Sequence, residues 1–539
     1  MKNIKTKIKM RFTLGCLICI ISLGLASCTQ NFEEYNTNPD EPTDGMLDGD
    51  NFKIGAFFPQ MQISVIPGGG GNPNQFQVSQ NLTGDVYSGY MAGIGAWNNG
   101  KNGTTAAFVI TDWQDIPFNR VLASSISADL NVKRQVGTDI SNPVIAFSTI
   151  LKIACVHRFA DMFGPLPYTK IAEGGSLEIP YDSEEVLYKS FFQELTDAIN
   201  TLTDYTKKNP GASPMADYDL VYDGDYVKWV KFANSLKLRM AMRCSYVDPT
   251  LAQTNAEEAV NHEYGVITEN ADNAELKSGK GIVINNPIQT VWDTYSDCRM
   301  GSVMQSYLTG YNDPRISAYF SQTTISGNTG YFGARTGVAI TNKNSWTQFS
   351  APTGKFEDPI VWLTAAECSF LKAEGALNGW NMGTTPQEAY EQGIRLSFEE
   401  KGVSGADSYM LDNTSTPANY TNPVFSAHSA SAKSTITIKW DDASTEEKKI
   451  ERIITQKWIA LYPNGTEAWA EYRRTGYPVQ FPMIDNFSSD VDNQVGPRRI
   501  PFPNSEYLLN NSNVSNAVQL LSVPYDGGGT RLWWDVKAH

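Results

Sequence analysis

Histidine is scarce in this chain, with four among 539 residues. His157, His262, His428 and His539 lie far apart, so neither a three-His set nor a His/Cys spacing suited to zinc occurs. HExxH, the GxSxG nucleophile elbow, the GxxxxGK[ST] phosphate loop and a GxGxxG turn after a strand are also missing. Their absence removes the usual signatures of metalloproteases, α/β-hydrolases and nucleotide enzymes. The expected inventory is therefore no catalytic residue, no metal and no cofactor. Basic charge is short as well: 43 Lys and Arg stand against 58 Asp and Glu, a net charge of -15, with no basic run of the kind a polyphosphate backbone needs. A nucleic-acid partner is excluded on that ground.

Cysteine offers little more. Of seven, Cys16 and Cys19 fall in the N-terminal apolar segment and Cys28 just after it; Cys155, Cys244, Cys298 and Cys368 are too dispersed for a CxxC or zinc pattern. Buried free thiols are the expectation, with one long-range disulfide as the alternative. The acidic group Asp217, Asp219, Asp223 and Asp225 lacks the glycine and terminal glutamate of an EF-hand loop, which leaves only adventitious calcium open. Two carboxylates suffice for a glycosidase, and 58 acids leave that alternative standing.

What is present begins at the N-terminus. Lys2, Lys5, Lys7, Lys9 and Arg11 precede an apolar run from Phe12 to Leu25, too short for a spanning helix and laid out as a secretory signal. It ends in Leu25, Ala26, Ser27 and Cys28, which resembles a bacterial lipobox, so lipidation is expected at Cys28 with residues 1–27 removed. Residues 28–51 are polar and acidic, the composition of a tether, and a single folded domain is expected over 52–539. Without residues 1–27 the count becomes 38 basic against 58 acidic residues, or -20. No later segment reads as a membrane span.

Helix punctuation recurs along the body. Thr364 to Glu367 has the spacing of a capping box opening a helix through Leu377, and Thr385, Pro386 and Glu388 repeat it with Gly402 as the stop. Tyr226 to Cys244 places Trp229, Phe232, Leu236 and Met240 at helical spacing, and Asp248 with Pro249 opens the next helix, to about His262. Two further pairs are expected at 143–159 with 182–202 and at 446–461 with 465–473. Four helix pairs predict a mainly α, solenoid-like scaffold. Long Gly/Asn/Ser/Thr and aromatic stretches at 66–105, 280–357 and 403–442 interrupt it, and loops of that length are functional or hold short strands of their own.

Seven motifs then occur in order after the lipobox: YNTNP (35–39), RFADMFGPLPYT (158–169), KWVKFANSLKLRMAMR (228–243), NDPRISAYF (312–320), VWLTAAECSFLKAEGALNGWNMG (361–383), IITQKWIALYPNGTEAWAEYRRTGYP (453–478) and PRRIPFPNSEYLLN (497–510). Together they resemble the SusD/RagB family of Bacteroidetes outer-membrane lipoproteins, in its SusD-like branch. The resemblance implies four tetratricopeptide-like helix pairs with irregular loops and a few short strands. It also implies an outer-membrane position facing the cell exterior, a SusC-like TonB-dependent transporter as partner, and capture of glycans, or in some members peptides, without catalysis.

Pyranose rings stack on aromatic faces while their hydroxyls pair with amides, carboxylates and guanidinium groups. Three loop clusters meet that description. They are Tyr87, Tyr90, Trp97 and Asn98; Trp292, Tyr295 and Arg299; and Trp346. A starch-binding member of the family uses a Trp and a nearby Asn in the corresponding early loop, which Trp97 and Asn98 resemble. The competing reading makes such aromatics small local cores, and it is the expected fate of Trp458, Trp469, Trp533 and Trp534. Arg473 and Arg474 are expected in internal ion pairs or at a helix end.

Overall fold

The computed structural model describes residues 51–101, 111–171 and 178–538. The signal segment, Cys28 and nearly all of the tether lie outside the described residues. Residues Ile54–His539 form one compact unit.

Eight helices make the expected pairs: α1 (Pro143–Phe163) with α2 (Glu184–Lys208), α3 (Tyr226–Arg243) with α4 (Pro249–Val260), α5 (Ala365–Leu377) with α6 (Pro386–Glu400), and α7 (Glu446–Leu461) with α8 (Gly465–Thr475). Each pair packs together, and α2 on α3, α3 on α5 and α5 on α7 carry the stack from one pair to the next. The fold is mainly helical with few short strands.

Local chemistry sets the helix starts. Asn142, Ser183, Asp225, Asp248, Thr364, Thr385 and Thr445 each accept a backbone N–H of the first turn, satisfying donors that have no partner within the helix. Thr385 and Glu388 form the full reciprocal capping box. Thr364 and Glu367 form half of one, because the Glu367 carboxylate is taken by Arg239 at 2.6 and 2.7 Å.

The last point opens onto a buried charge network that stitches all four pairs. Arg243 of α3 meets Asp161 of α1 at 3.2 Å and Glu467 of α8 at 2.6 Å, and also pairs with Glu471. Arg474 pairs with Glu374 of α5 at 2.6 Å and with Glu471 at 2.8 Å, while Lys457 of α7 reaches Glu471 at 2.9 Å. Buried charges are tolerable only when paired and hydrogen-bonded, and here each helix pair supplies part of the compensation. The Arg474 expectation is met. Arg473 meets the helix-end alternative: in the last turn of α8, it lies 3.6 Å from the Trp469 ring centre and donates to the Arg498 carbonyl. Trp458, Trp469 and Trp534 are core residues, and Trp533 is half-buried against the core.

Helix α1 corrects the reading that no later segment has span-like character. It is long and apolar enough to cross a membrane. Its residues from Val144 to Phe163 are nonetheless all buried within the protein, and Lys152, Arg158 and Asp161 find polar partners there. It is the central core helix.

The stretches read as irregular contain more order than their composition signals. Within 66–105, Pro73–Phe76 runs into a π-helical segment, Gln77–Asp85, packed on α8. Gly84 and Gly465 allow that contact: a Cβ on Gly84 would stand 2.5 Å from Thr466 N, and one on Gly465 would stand 2.1 Å from Asp85 Oδ1. Three antiparallel two-stranded ribbons complete the fold, β1 (Met91–Gly93) with β3 (Cys298–Met300), β2 (Ala274–Leu276) with β6 (Ile360–Leu363), and β4 (Thr323–Ile325) with β5 (Asn328–Gly330). The four body cysteines are buried and unpaired, and burial pushes the Cys155, Cys298 and Cys368 thiols up to about 12.

Candidate functional site

The β1–β3 ribbon brings the first two sequence clusters together. Ala92 pairs with Arg299 and Gly93 with Cys298, and Ile94 N donates to Asp297 O at 2.7 Å. Because the strands are antiparallel, the chain leaving β1 toward Trp97 emerges at the same end as the chain entering β3 from Tyr295. The third cluster lies beneath. Trp346 stacks on Phe349, Phe425 and His428, with ring centres at 5.6, 4.8 and 5.7 Å. With Ala92, Ile94, Val338 and Ile340 it forms a small hydrophobic cluster separate from the scaffold core.

At the ribbon's end Trp97 is half-exposed, and Asn98 and Asn99 are exposed with φ of 51° and 54°. Asn tolerates that left-handed conformation better than most residues, so the turn presents two amides outward beside an indole. Trp113 packs edge-on to Trp97 with ring centres 5.5 Å apart, and it too is half-exposed. Gly100 O accepts from Ile340 N at 3.2 Å, tying this turn to the segment that carries Lys343. Lys343 Nζ donates to Tyr295 O and to Asp297 Oδ1, both at 2.6 Å, and Gln77 Nε2 donates to Asp297 Oδ2 at 2.8 Å. The result is an open, loop-built surface with aromatic faces, amides, an ammonium and a carboxylate at one end of the ribbon.

Four of the eight expected contact residues are corrected by burial. Tyr90 has no exposed surface; its ring packs on Trp458 and Tyr462 and its hydroxyl donates to the Trp458 carbonyl. Tyr87 is 7% exposed against Trp469, and Trp346 is 3% exposed in the cluster just described. Arg299 is buried, and its guanidinium donates to the carbonyls of Thr347, Trp292 and Cys298 and to Ser296 Oγ, which fixes the loop and leaves no fork for a ligand. The helix over 73–87, invisible in a Gly-containing sequence, is what turns Tyr87 and Tyr90 inward. Trp97, Asn98, Trp292 and Tyr295 retain exposure, with the Trp292 indole N–H donating to Gly354 O at 2.8 Å. Trp113 was not among the residues read from the sequence; it stands ten residues beyond Gly103, where the Gly/Asn run after Trp97 ends, and nothing local links the two indoles.

A glycosidase would call for an acid with raised pKa in a cleft. Burial raises Asp85 to about 7 and Glu184 to about 8, and it raises Asp161 and Asp219. All four are packed into the scaffold, and none lines the described cavities. Asp219 spends its oxygens on the backbone N–H groups of Val221, Tyr222 and Gly224 and on Trp229 Nε1, and Asp225 caps α3. Among the described residues no cluster of three or more His, Cys, Asp or Glu is placed to hold a metal. His157 is buried, with Nδ1 against Ile153 O at 2.9 Å, and burial pulls its pKa to about 3.

Fold and site together define a scaffold of stacked helix pairs that displays an aromatic surface on its interrupting loops. The chain belongs to the SusD-like family, described as Susd and RagB outer membrane lipoprotein, whose model matches residues 34–535. A chitin-binding SusD homolog from Flavobacterium johnsoniae is 40% identical, with 90% of this chain and 99% of that chain covered at a TM-score of 0.85. A SusD homolog from Bacteroides uniformis is 38% identical (90% and 100% covered, TM-score 0.79). A SusD-like protein from Bacteroides thetaiotaomicron is 35% identical (90% and 99% covered, TM-score 0.84). No curated protein matches the chain.

Proposed function

We propose that this protein is a cell-surface, lipid-anchored glycan receptor that holds oligosaccharide on the Trp97 surface and delivers it to a SusC-like TonB-dependent transporter in the outer membrane. The observation that carries the reading is the half-exposed Trp97–Trp113 pair beside Asn98 and Asn99. Two indoles set edge-to-face give a sugar chain stacking surfaces of different orientation, and the flanking amides supply donors and acceptors for its hydroxyls. Tyr295, on the segment that enters β3, and Lys343, which donates to its carbonyl, extend the surface, and Trp292 lies further along the Tyr295 segment. The chitin-binding relative from Flavobacterium johnsoniae makes N-acetylglucosamine oligomers the first ligands to try.

Anchoring follows from the lipobox: cleavage before Cys28 and acylation there, with the acidic segment to residue 51 spacing the body from the membrane. Titration of the mature chain with chitooligosaccharides and other neutral oligosaccharides by calorimetry should give saturable binding that Trp97→Ala weakens at least tenfold without lowering Tm. Absence of binding to any neutral glycan, or unchanged affinity in Trp97→Ala, would overturn the assignment. Cys28→Ala should release the protein from the membrane fraction, and co-purification of a TonB-dependent transporter with the native form tests the partnership.

A further inference from the structure

The third helix pair holds an open cavity of about 370 Å³, walled by α5, α6 and residues 267–268 beyond α4. That volume lies at the lower end of ligand pockets and far exceeds the ~30 Å³ share of one water. Ala365, Ser369 and Lys372 face it from α5, and Glu388, Gln392 and Arg395 from α6; each set is spaced i, i+4, i+7 and so shares one face of its helix. The polar side chains of this wall keep surface open to solvent: Ser369 and Lys372 are half-buried, and Thr268, Glu388, Gln392 and Arg395 are exposed.

The charges of the wall are unevenly engaged. Glu388 Oε2 accepts from the N–H and the hydroxyl of Thr385 at 3.0 and 2.9 Å, as the α6 cap. Glu391 Oε2 accepts from Arg395 Nη2 at 3.5 Å, and Arg395 Nε donates to Asp407 at 3.0 Å. Lys372 is left over: among the described residues its ammonium has no ion pair and no hydrogen bond, and the side chains of Ser369, Thr268 and Gln392 make no hydrogen bond there either. Burial holds the Lys372 pKa below the ordinary lysine value, with the Cys368 thiol opposing. A cation half removed from water without a counter-charge is unfavourable, and a bound anion would remove that cost. One free ammonium asks for one negative charge, because Glu388 and Glu391 on the facing wall repel a dianion. The free hydroxyls and amide around it both donate and accept, which suits hydroxyl groups on the same ligand.

We propose that this cavity is a second ligand pocket that takes one acidic monosaccharide unit, with its singly charged carboxylate or sulfate ester on Lys372 and its ring hydroxyls on Ser369, Thr268 and Gln392. The two anions share the chemistry the pocket reads and differ in the sugar that carries them. The pocket does not depend on the Trp97 assignment.

The test is calorimetric titration of the full mature chain with glucuronate, galacturonate and N-acetylglucosamine 6-sulfate, with glucose and acetate as controls. At least one acidic sugar should bind; a uronate assigns the carboxylate, and the sulfated sugar alone assigns the ester. Lys372→Met should weaken that binding about tenfold, the loss of a charged hydrogen bond, while Tm holds or rises because a half-desolvated cation is gone. Gln392→Ala, at an exposed position, should weaken it about threefold with Tm unchanged, and Trp97→Ala should leave it intact. No heat with any of the three acidic sugars would overturn the proposal. So would glucose bound as tightly as the acids, acetate bound as tightly as the acids, binding indifferent to both pocket variants, or binding lost in Trp97→Ala.

Discussion

Asp85 tests the physical account of the core most sharply. It has no solvent exposure, and its Oδ1 accepts from Gly465 N at 3.1 Å in the first turn of α8 while Oδ2 accepts from Asn81 Nδ2 at 3.1 Å. Burial lifts its pKa from 3.8 to about 7, outweighing the Asn81 and Gly465 hydrogen bonds and the Arg158 charge that pull the other way. Between roughly pH 4 and 7 the folded state therefore keeps a proton that the unfolded chain has released, and stability falls as pH rises through that window. Roughly three pKa units at about 1.36 kcal/mol each amount to about 4 kcal/mol by pH 8. Asp85→Asn supplies the protonated acid's shape at every pH. Asn81 Oδ1 has no partner in the wild type, so a flip of the Asn81 amide can accept from the new amide. At about 2.1 cal/mol/K per residue, a unit this size shifts by about 1 °C per kcal/mol, so Asp85→Asn should melt about 4 °C higher than wild type at pH 8 and no higher at pH 4. Paired melting curves from pH 4 to 8 give the answer. A variant less stable at pH 8, or one offset by the same amount at every pH, would refute the reasoning.

Arg243→Met strands Asp161, Glu467 and Glu471 without their shared cation, and breaking a buried pair in this way costs about 3–5 kcal/mol; a denaturant midpoint within error of wild type would show the network to be idle. Trp346→Ala empties the small cluster beneath the ribbon and should cost about 3–5 kcal/mol. It should also weaken oligosaccharide binding although Trp346 is buried, and an unchanged Tm and affinity would contradict its supporting role. His157, held by burial and by Arg239 and Arg158 at about 3 rather than 6.5, stays neutral in the fold while the unfolded chain takes up a proton. Stability is lost as pH falls below 6.5, by about 2 kcal/mol at pH 5, and His157→Gln should flatten that part of the melting profile.

The helix pairs were legible because their signals are local. Caps, prolines at the first turn and 3.6-residue apolar spacing lie within a few residues of each other, and the observed ends of α3, α5, α6 and α7 fall within a residue or two of the positions these signals give. The charge network was only half legible: YRRTGYP showed that Arg473 and Arg474 needed partners, but Glu374 lies 100 residues from Arg474 and nothing local links them. The site was harder still. Tyr90 and Trp97 are seven residues apart among the same glycines, yet one is wholly enclosed and the other half-exposed. What separates them is a π-helical segment with no recognisable period and a pairing of β1 with β3 across some 200 residues.

That division follows from where each part of the molecule is held. The scaffold core and the site's supporting cluster are separate hydrophobic units, and the strands β1 and β3, with Ile340 N on Gly100 O, fix the tip that carries Trp97, Asn98 and Asn99. Among the described residues Trp97 packs on Trp113, and Asn98 and Asn99 are exposed, so substitution there costs the fold little and, on the proposed reading, acts on affinity. Arg299 and Trp346 are the reverse: they hold the surface in place from below, so their loss would reach the ligand only through the loop. A chain built this way can keep one set of helix pairs, stitched by Arg243 and Arg474, while the exposed residues of one turn vary.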